Sequence, residues 1–143
     1  MSFELNTQIT INASPEEIWN VLIDFKSYPD WNPFITSIEG TPETGNQLKA
    51  DIDGMKFKPL ILESISNKKL VWKGRLLFKG LFDGEHSFEI IQQQESCLFI
   101  QSEKFTGILV PFFKKKLSID TKQGFISMNE KFKQRIEAKK TNN

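Results

Sequence analysis

Along residues 3–11 the chain alternates. Phe3, Leu5, Thr7, Ile9 and Ile11 fall on one side, and Glu4, Asn6, Gln8, Thr10 and Asn12 fall between them. A period of two predicts a half-buried strand. Ser14-Pro15-Glu16-Glu17 then reads as a helix start, with a capping serine, a proline suited to the first turn and a glutamate that completes a capping box. Ile18, Val21, Leu22 and Phe25 recur at helical spacing, and Trp19 widens that face. The helix is expected to end near Phe25. Tyr28-Pro29-Asp30-Trp31-Asn32-Pro33-Phe34 follows, with two prolines and three aromatics. It predicts a compact, partly buried corner, because the prolines resist regular structure and the rings resist exposure.

From Phe34 to Phe105 the pattern is nearly all strand. Phe34–Glu39 closes at Gly40-Thr41-Pro42. Residues 48–53 alternate up to the hairpin signal Asp53-Gly54. Met55–Ile65 reads as one return strand, with Pro59 marking a bulge or an edge. Val71–Phe78 places Trp72, Leu76 and Phe78 on one face. His86, Phe88 and Ile90 share a face opposed by Glu85, Ser87 and Glu89. Cys97–Phe105 is the last strand, and its weak alternation leaves its faces open. Past Thr106-Gly107, the positions Leu117, Thr121, Phe125, Met128, Phe132 and Ile136 form a helical stripe. Gly124 interrupts that helix at a cost of about 1 kcal/mol against alanine, which calls for a bend or a close approach. Short turns make consecutive strands antiparallel. The expected architecture is α+β: a curved antiparallel sheet of about seven strands wrapped around a long C-terminal helix. One or two short helices follow the first strand.

Length, charge and inventory narrow this further. The 143 residues suffice for one domain, taken as residues 1–138 with a polar tail at 139–143. With 19 basic and 18 acidic residues, nothing electrostatic favours nucleic acid. Of the aromatics, 13 are Phe, against 3 Trp and 1 Tyr, enough to fill a core or line a cavity. The single Cys97 precludes an internal disulfide. A start without a basic, apolar leader fits a cytoplasmic protein, and no run reaches the roughly 20 apolar residues of a membrane span. One histidine and one cysteine are too few for an ordinary zinc site. Asp51 and Asp53 share a strand face but read as a solvated rim, and no cofactor or metal is expected.

Four motifs, in this order, resemble the START-like helix-grip superfamily (SRPBCC), closest to its polyketide cyclase/dehydrase-like branch. They are Ser14-Pro15-Glu16-Glu17-Ile18-Trp19, the Tyr28–Phe34 stretch, Gly84-Glu85-His86-Ser87-Phe88, and Glu103 through Pro111. The resemblance spans nearly the whole chain. It implies a deep cavity between the sheet and the C-terminal helix that takes a hydrophobic small molecule or lipid. It leaves activity open, since the family holds binders, lipid carriers and cyclases.

Candidate residues follow from faces and chemistry. His86 points inward as a satisfied core histidine, as a group orienting a ligand, or as an acid/base with Glu103 or Gln101 as partner. Trp31, Phe34, Phe57, Trp72, Leu76, Phe78 and Phe88 are candidate walls. Ile108, Leu109, Phe112 and Phe113 are a candidate gate. Lys114-Lys115-Lys116 reads as a solvated helix face or as a contact for an anionic membrane surface. The function expected is binding or transport of a hydrophobic small molecule or lipid, by a monomer or homodimer without stable membrane insertion. A cyclase or dehydratase acting on an aromatic or polyketide-like substrate is the alternative, and a module that stimulates another protein is a third.

Overall fold

The computed structural model describes residues 2–75 and 80–141. The alternating start forms β1 (Ser2–Ile11), followed by α1 (Pro15–Leu22). The capping box is present in full: Ser14 Oγ accepts from Glu17 N at 3.1 Å, and Glu17 Oε1 accepts from Ser14 N at 2.9 Å. The helix stops three residues before Phe25. A single 3-10 turn (Phe25–Ser27) then leads into the one-turn helix α2 (Tyr28–Trp31), with Pro29 in its first turn. Asn32 closes the corner, its Oδ1 accepting from both Phe34 N (3.0 Å) and Ile35 N (2.8 Å). The aromatic corner is thus hydrogen-bonded from within.

Eight strands are described, in two sheets. β2 (Ile35–Glu39), β3 (Lys49–Ile52) and β4 (Met55–Phe57) form a small one. β5 (Leu60–Ile65), β6 (Lys69–Arg75), β7 (Asp83–Gln92) and β8 (Cys97–Thr106) join β1 in the order β1-β8-β7-β6-β5. Every pairing is antiparallel. The expected single strand Met55–Ile65 is therefore two strands in different sheets. Pro59, which lacks an N–H for a ladder, sits at the break. Its carbonyl instead accepts from Leu48 N at 2.7 Å, and with the Gln47–Leu60 bridge this ties the two sheets together. Leu76 and Phe78 lie outside the described residues.

The C-terminal segment comprises α3 (Val110–Lys116), a π-helical turn at Leu117–Thr121 and α4 (Lys122–Thr141). Every member of the stripe Leu117, Thr121, Phe125, Met128, Phe132 and Ile136 is buried. This α+β helix-grip arrangement matches the expected fold, with the strands divided five and three. Gly124 finds its reason in the corner. A Cβ there would meet the Phe34 ring, 2.7 Å from Cε1, so the helix passes close over that ring. Trp31, half-buried, packs on Phe132 at the edge of the core with centroids 5.4 Å apart. Helix α4 continues through Lys139 and Lys140, and Lys140 Nζ donates to Asn12 O at 2.9 Å. Among the described residues no helix is long and apolar enough to cross a membrane.

Candidate functional site

Strand register places three rows of inward side chains across β6, β7 and β8. Trp72, His86 and Glu103 form one row; Leu70, Phe88 and Gln101 form the next toward the core. On the other side the row reads Gly74, Gly84, Phe105. Successive inward rows are two residues apart along each strand. Two of the three positions in that last row carry no side chain. Above them lies a cavity of about 190 Å³, roofed by the Phe113–Thr121 part of the helix and closed at one end by Phe34.

Of the wall residues expected from the sequence, Phe34, Phe57, Trp72, His86, Glu103 and Phe113 line this cavity. Trp31, Phe88, Leu109 and Phe112 do not. Trp31 is taken up by Tyr28 and Phe132, and Phe88 stacks beneath His86 at 4.6 Å. Phe112 points to solvent, 81 % exposed. Residues not foreseen complete the lining: Ile52, Asp53, Met55, Pro59, Gly74, Phe82, Gly84, Phe105, Lys116, Leu117 and Thr121. Gly74 was visible as a strand glycine, whereas Gly84, which the sequence suggests as the end of a turn at Gly80–Gly84, lies in β7, and only the hairpin register makes the two neighbours. Asp51 lies apart from the cavity, held by Ser37 Oγ at 2.8 Å and Lys56 Nζ at 3.1 Å. Those hydrogen bonds, Ser37 first, lower its carboxyl pKa. Among the described residues no group of three or more His, Cys, Asp or Glu is placed to hold a metal.

The polar end of the cavity is the outer face of a buried hydrogen-bond chain. Thr7 Oγ1 donates to Gln101 O (2.7 Å) and accepts from Asn129 Nδ2 (2.9 Å). Asn129 Oδ1 accepts from Gln101 Nε2 (2.7 Å), which also reaches Phe125 O (3.4 Å). Gln101 Oε1 meets His86 Nε2 at 2.8 Å, and His86 Nδ1 meets Glu103 Oε1 at 3.1 Å. The two backbone carbonyls, which only accept, fix the sense of the chain. Gln101 must turn its N–H groups toward Phe125 O and Asn129, which leaves its oxygen for the imidazole. Nε2 of His86 therefore carries a hydrogen. The remaining His86–Glu103 contact needs one proton between its two atoms, on the ring or on the carboxyl group. The imidazole is boxed by Trp72 (5.4 Å), Phe88 (4.6 Å) and Phe125 (4.9 Å), and only 1 % of His86 is exposed.

Glu103 Oε2 lies over Gly84, in space that a Cβ would fill; the carboxyl carbon would be 3.2 Å from that Cβ. This oxygen is an acceptor in both proton arrangements. If His86 holds the proton, Glu103 is a carboxylate. If Glu103 holds it on Oε1, Oε2 is the carbonyl oxygen. The site thus presents the Glu103 oxygen as an acceptor within a largely aromatic and aliphatic cavity. Neither the cysteine thiol nor the tyrosine hydroxyl borders it. Burial pushes the Cys97 thiol pKa up while Sγ donates to Ala13 O at 3.2 Å. Burial likewise pushes the Tyr28 hydroxyl up as it donates to Leu22 O.

The fold recurs in solved structures. A START superfamily protein from Mycobacterium smegmatis superposes with a TM-score of 0.71 at 22 % identity, over 94 % of this chain and 97 % of that one. Norcoclaurine synthase from Thalictrum flavum gives 0.74 at 14 % identity, over 98 % and 97 %. The di-domain ARO/CYC StfQ of the steffimycin biosynthetic pathway gives 0.79 at 13 %, over 98 % of this chain and 52 % of that one. At these identities the likeness is one of fold. No protein in the curated set matches the sequence. The sequence profile described as polyketide cyclase/dehydrase and lipid transport matches residues 2–137, and this chain belongs to that family.

Proposed function

We propose that this protein binds a compact, largely apolar small molecule in the cavity between sheet and helix, and that the ligand carries a hydrogen-bond donor directed at Glu103. One observation carries the reading: Glu103 Oε2 is an acceptor whichever partner holds the His86–Glu103 proton, and the surrounding wall is mostly aromatic and aliphatic. A pocket with few polar groups uses them for orientation and specificity. A hydroxyl or N–H satisfies Oε2. An ether or ketone sets a second acceptor against it.

Paired ligands test this. The fluorescence of Trp72, which lines the cavity, reports titration with 2-naphthol and with 2-methoxynaphthalene, the same ring system with its donor capped. A hydrogen bond to a charged partner contributes about 1.5–3 kcal/mol. Naphthol is therefore expected to bind about tenfold tighter or more, and Glu103→Ala to remove most of the difference. Equal affinities for the two ligands in the native protein would overturn the donor assignment. Failure of both to bind, together with no adduct in a native mass spectrum, would overturn the binding reading itself.

A second reading rests on the same pair. A carboxylate at a cavity wall, paired with an imidazolium that carries a hydrogen on each ring nitrogen, can accept a proton from a bound ligand and return it, as cyclisation or dehydration of an aromatic or polyketide-like substrate requires. Turnover of such a substrate that is abolished by Glu103→Gln, with its binding retained, would favour this reading over simple binding.

A further inference from the structure

The rim of the cavity carries an apolar stripe that the fold leaves uncovered. Ile108, Phe112 and Ile119 are 71 %, 81 % and 57 % exposed. Ile108 stands in the turn just before α3, Phe112 lies in α3 and Ile119 lies in the π-helical turn that follows, so the three exposed side chains belong to one continuous segment, 108–119. Lys115 and Lys116 fall three and four residues after Phe112, on the same side, and both are exposed. Lys114 is drawn to the flank, its Nζ 6.0 Å from the centre of the Phe3 ring. From Gly107 to Ile119 the sequence has three lysines and no acidic residue. Of the carboxylates around it, Asp120 is next along the chain and exposed, Asp53 and Glu103 line the cavity, and Asp83 is buried.

The stripe is held in place rather than loosely attached. Ile108 N and Leu109 N donate to Gly80 O (3.2 Å) and Leu81 O (3.0 Å), and Phe113 packs edge-on against Phe82 at 5.3 Å. Phe113, Lys116 and Leu117 of the same segment line the cavity, so the exposed stripe and part of the cavity wall share one segment of chain. Immediately beyond lies the π-helical turn Leu117–Thr121, a discontinuity of the kind often found at functional sites.

We infer that this rim is a docking surface for an anionic lipid bilayer, with Ile108, Phe112 and Ile119 inserted among the acyl chains at the headgroup boundary and the lysines on the headgroups. Charge decides for this occupant: three lysines among the exposed apolar residues, against Asp120 alone at the far end of the segment, match an anionic interface. Docking in this pose sets the cavity mouth against the membrane, so an apolar ligand passes between bilayer and cavity without crossing water. The surface is independent of the ligand assignment: vesicle binding stands even if the cavity prefers another small molecule.

Co-sedimentation with vesicles tests it, using phosphatidylcholine alone and phosphatidylcholine with one quarter phosphatidylglycerol. Binding is expected on the mixed vesicles, weakening with added salt. Each lysine at an anionic surface contributes roughly fivefold in affinity. The double variant Lys115→Gln/Lys116→Gln is therefore expected to lose at least about tenfold on mixed vesicles. Ile108→Ser/Phe112→Ser is expected to lose binding on mixed vesicles as well. Circular dichroism checks that these exposed substitutions leave the fold intact, and Ile65→Ser/Ile91→Ser, exposed elsewhere, is the control. Three results would overturn the inference: native protein left in the supernatant with mixed vesicles, equal losses in the control, or a Phe112-dependent dimer in light scattering without vesicle binding.

Discussion

Gly124→Ala should destabilise the native protein and stabilise a variant lacking the Phe34 ring. Alanine in a helix interior is favoured over glycine by about 1 kcal/mol. Against this, a Cβ at position 124 would lie 2.7 Å from Phe34 Cε1, closer than real contacts allow. Phe34 is 6 % exposed and packs edge-on against Phe125 at 5.3 Å, so its ring can retreat only by giving up that contact and shifting into the cavity it lines. Forcing extra volume into such a site costs about 1–3 kcal/mol. The net expectation is a loss of about 1 kcal/mol in the native background. In Phe34→Leu the ring is gone, and the helix term alone remains, a gain of about 1 kcal/mol. The resulting coupling of about 2 kcal/mol is within the range for residues in contact. Urea unfolding followed at 222 nm for the four proteins of the cycle measures it, provided the denaturant slopes agree. If Gly124→Ala stabilised both backgrounds equally, the glycine would owe nothing to Phe34 and the close approach would be refuted.

Two further expectations follow from single positions. Gly74 faces the cavity, and a Cβ there would meet only Phe57 Cδ1, at 3.7 Å. Gly74→Leu should fill the cavity and reduce 2-naphthol affinity at least tenfold while leaving unfolding stability unchanged or raised; undiminished binding would move the ligand elsewhere. Glu17 has its pKa lowered, first by the backbone hydrogen bond from Ser14. A carboxyl depressed in the folded state contributes stability that is present above the unfolded value, about 4.3 for glutamate, and lost as pH falls through the folded value. Glu17→Gln should therefore lower stability at neutral pH by a few tenths of a kcal/mol, given the exposure of this cap. The deficit should shrink below about pH 4; a deficit that is constant with pH would argue against the charged cap.

Periodicity and punctuation carried much of the fold. The alternation in β1, the capping box at Ser14 and Glu17 and the stripe from Leu117 to Ile136 are local signals, and local physics honours them. The inward face of His86 and Phe88 was legible for the same reason. Glu103 and Gln101 could be named as partners because the neighbouring strand was known, but not which atom each would meet. The boundaries that failed were those set at a distance. Met55–Ile65 keeps strand character throughout, yet Pro59 hands it from one sheet to the other. Trp31, by composition as good a wall as Phe34, is spent on Phe132.

The sequence by itself determined the order of strands and helices and the buried stripe of the C-terminal helix, because alternating and helical periods are properties of consecutive residues. It also supplied a chain rich in phenylalanine with a single histidine. Tertiary structure alone decided that there is a cavity and which end of it is polar. Gly74 and Gly84 stand ten residues apart in the chain and become neighbours only through the β6–β7 register. The sense of the Thr7–Asn129–Gln101–His86–Glu103 chain is set by the carbonyls of Phe125 and Gln101. Those contacts join β1, β7, β8 and α4, which no window along the sequence contains.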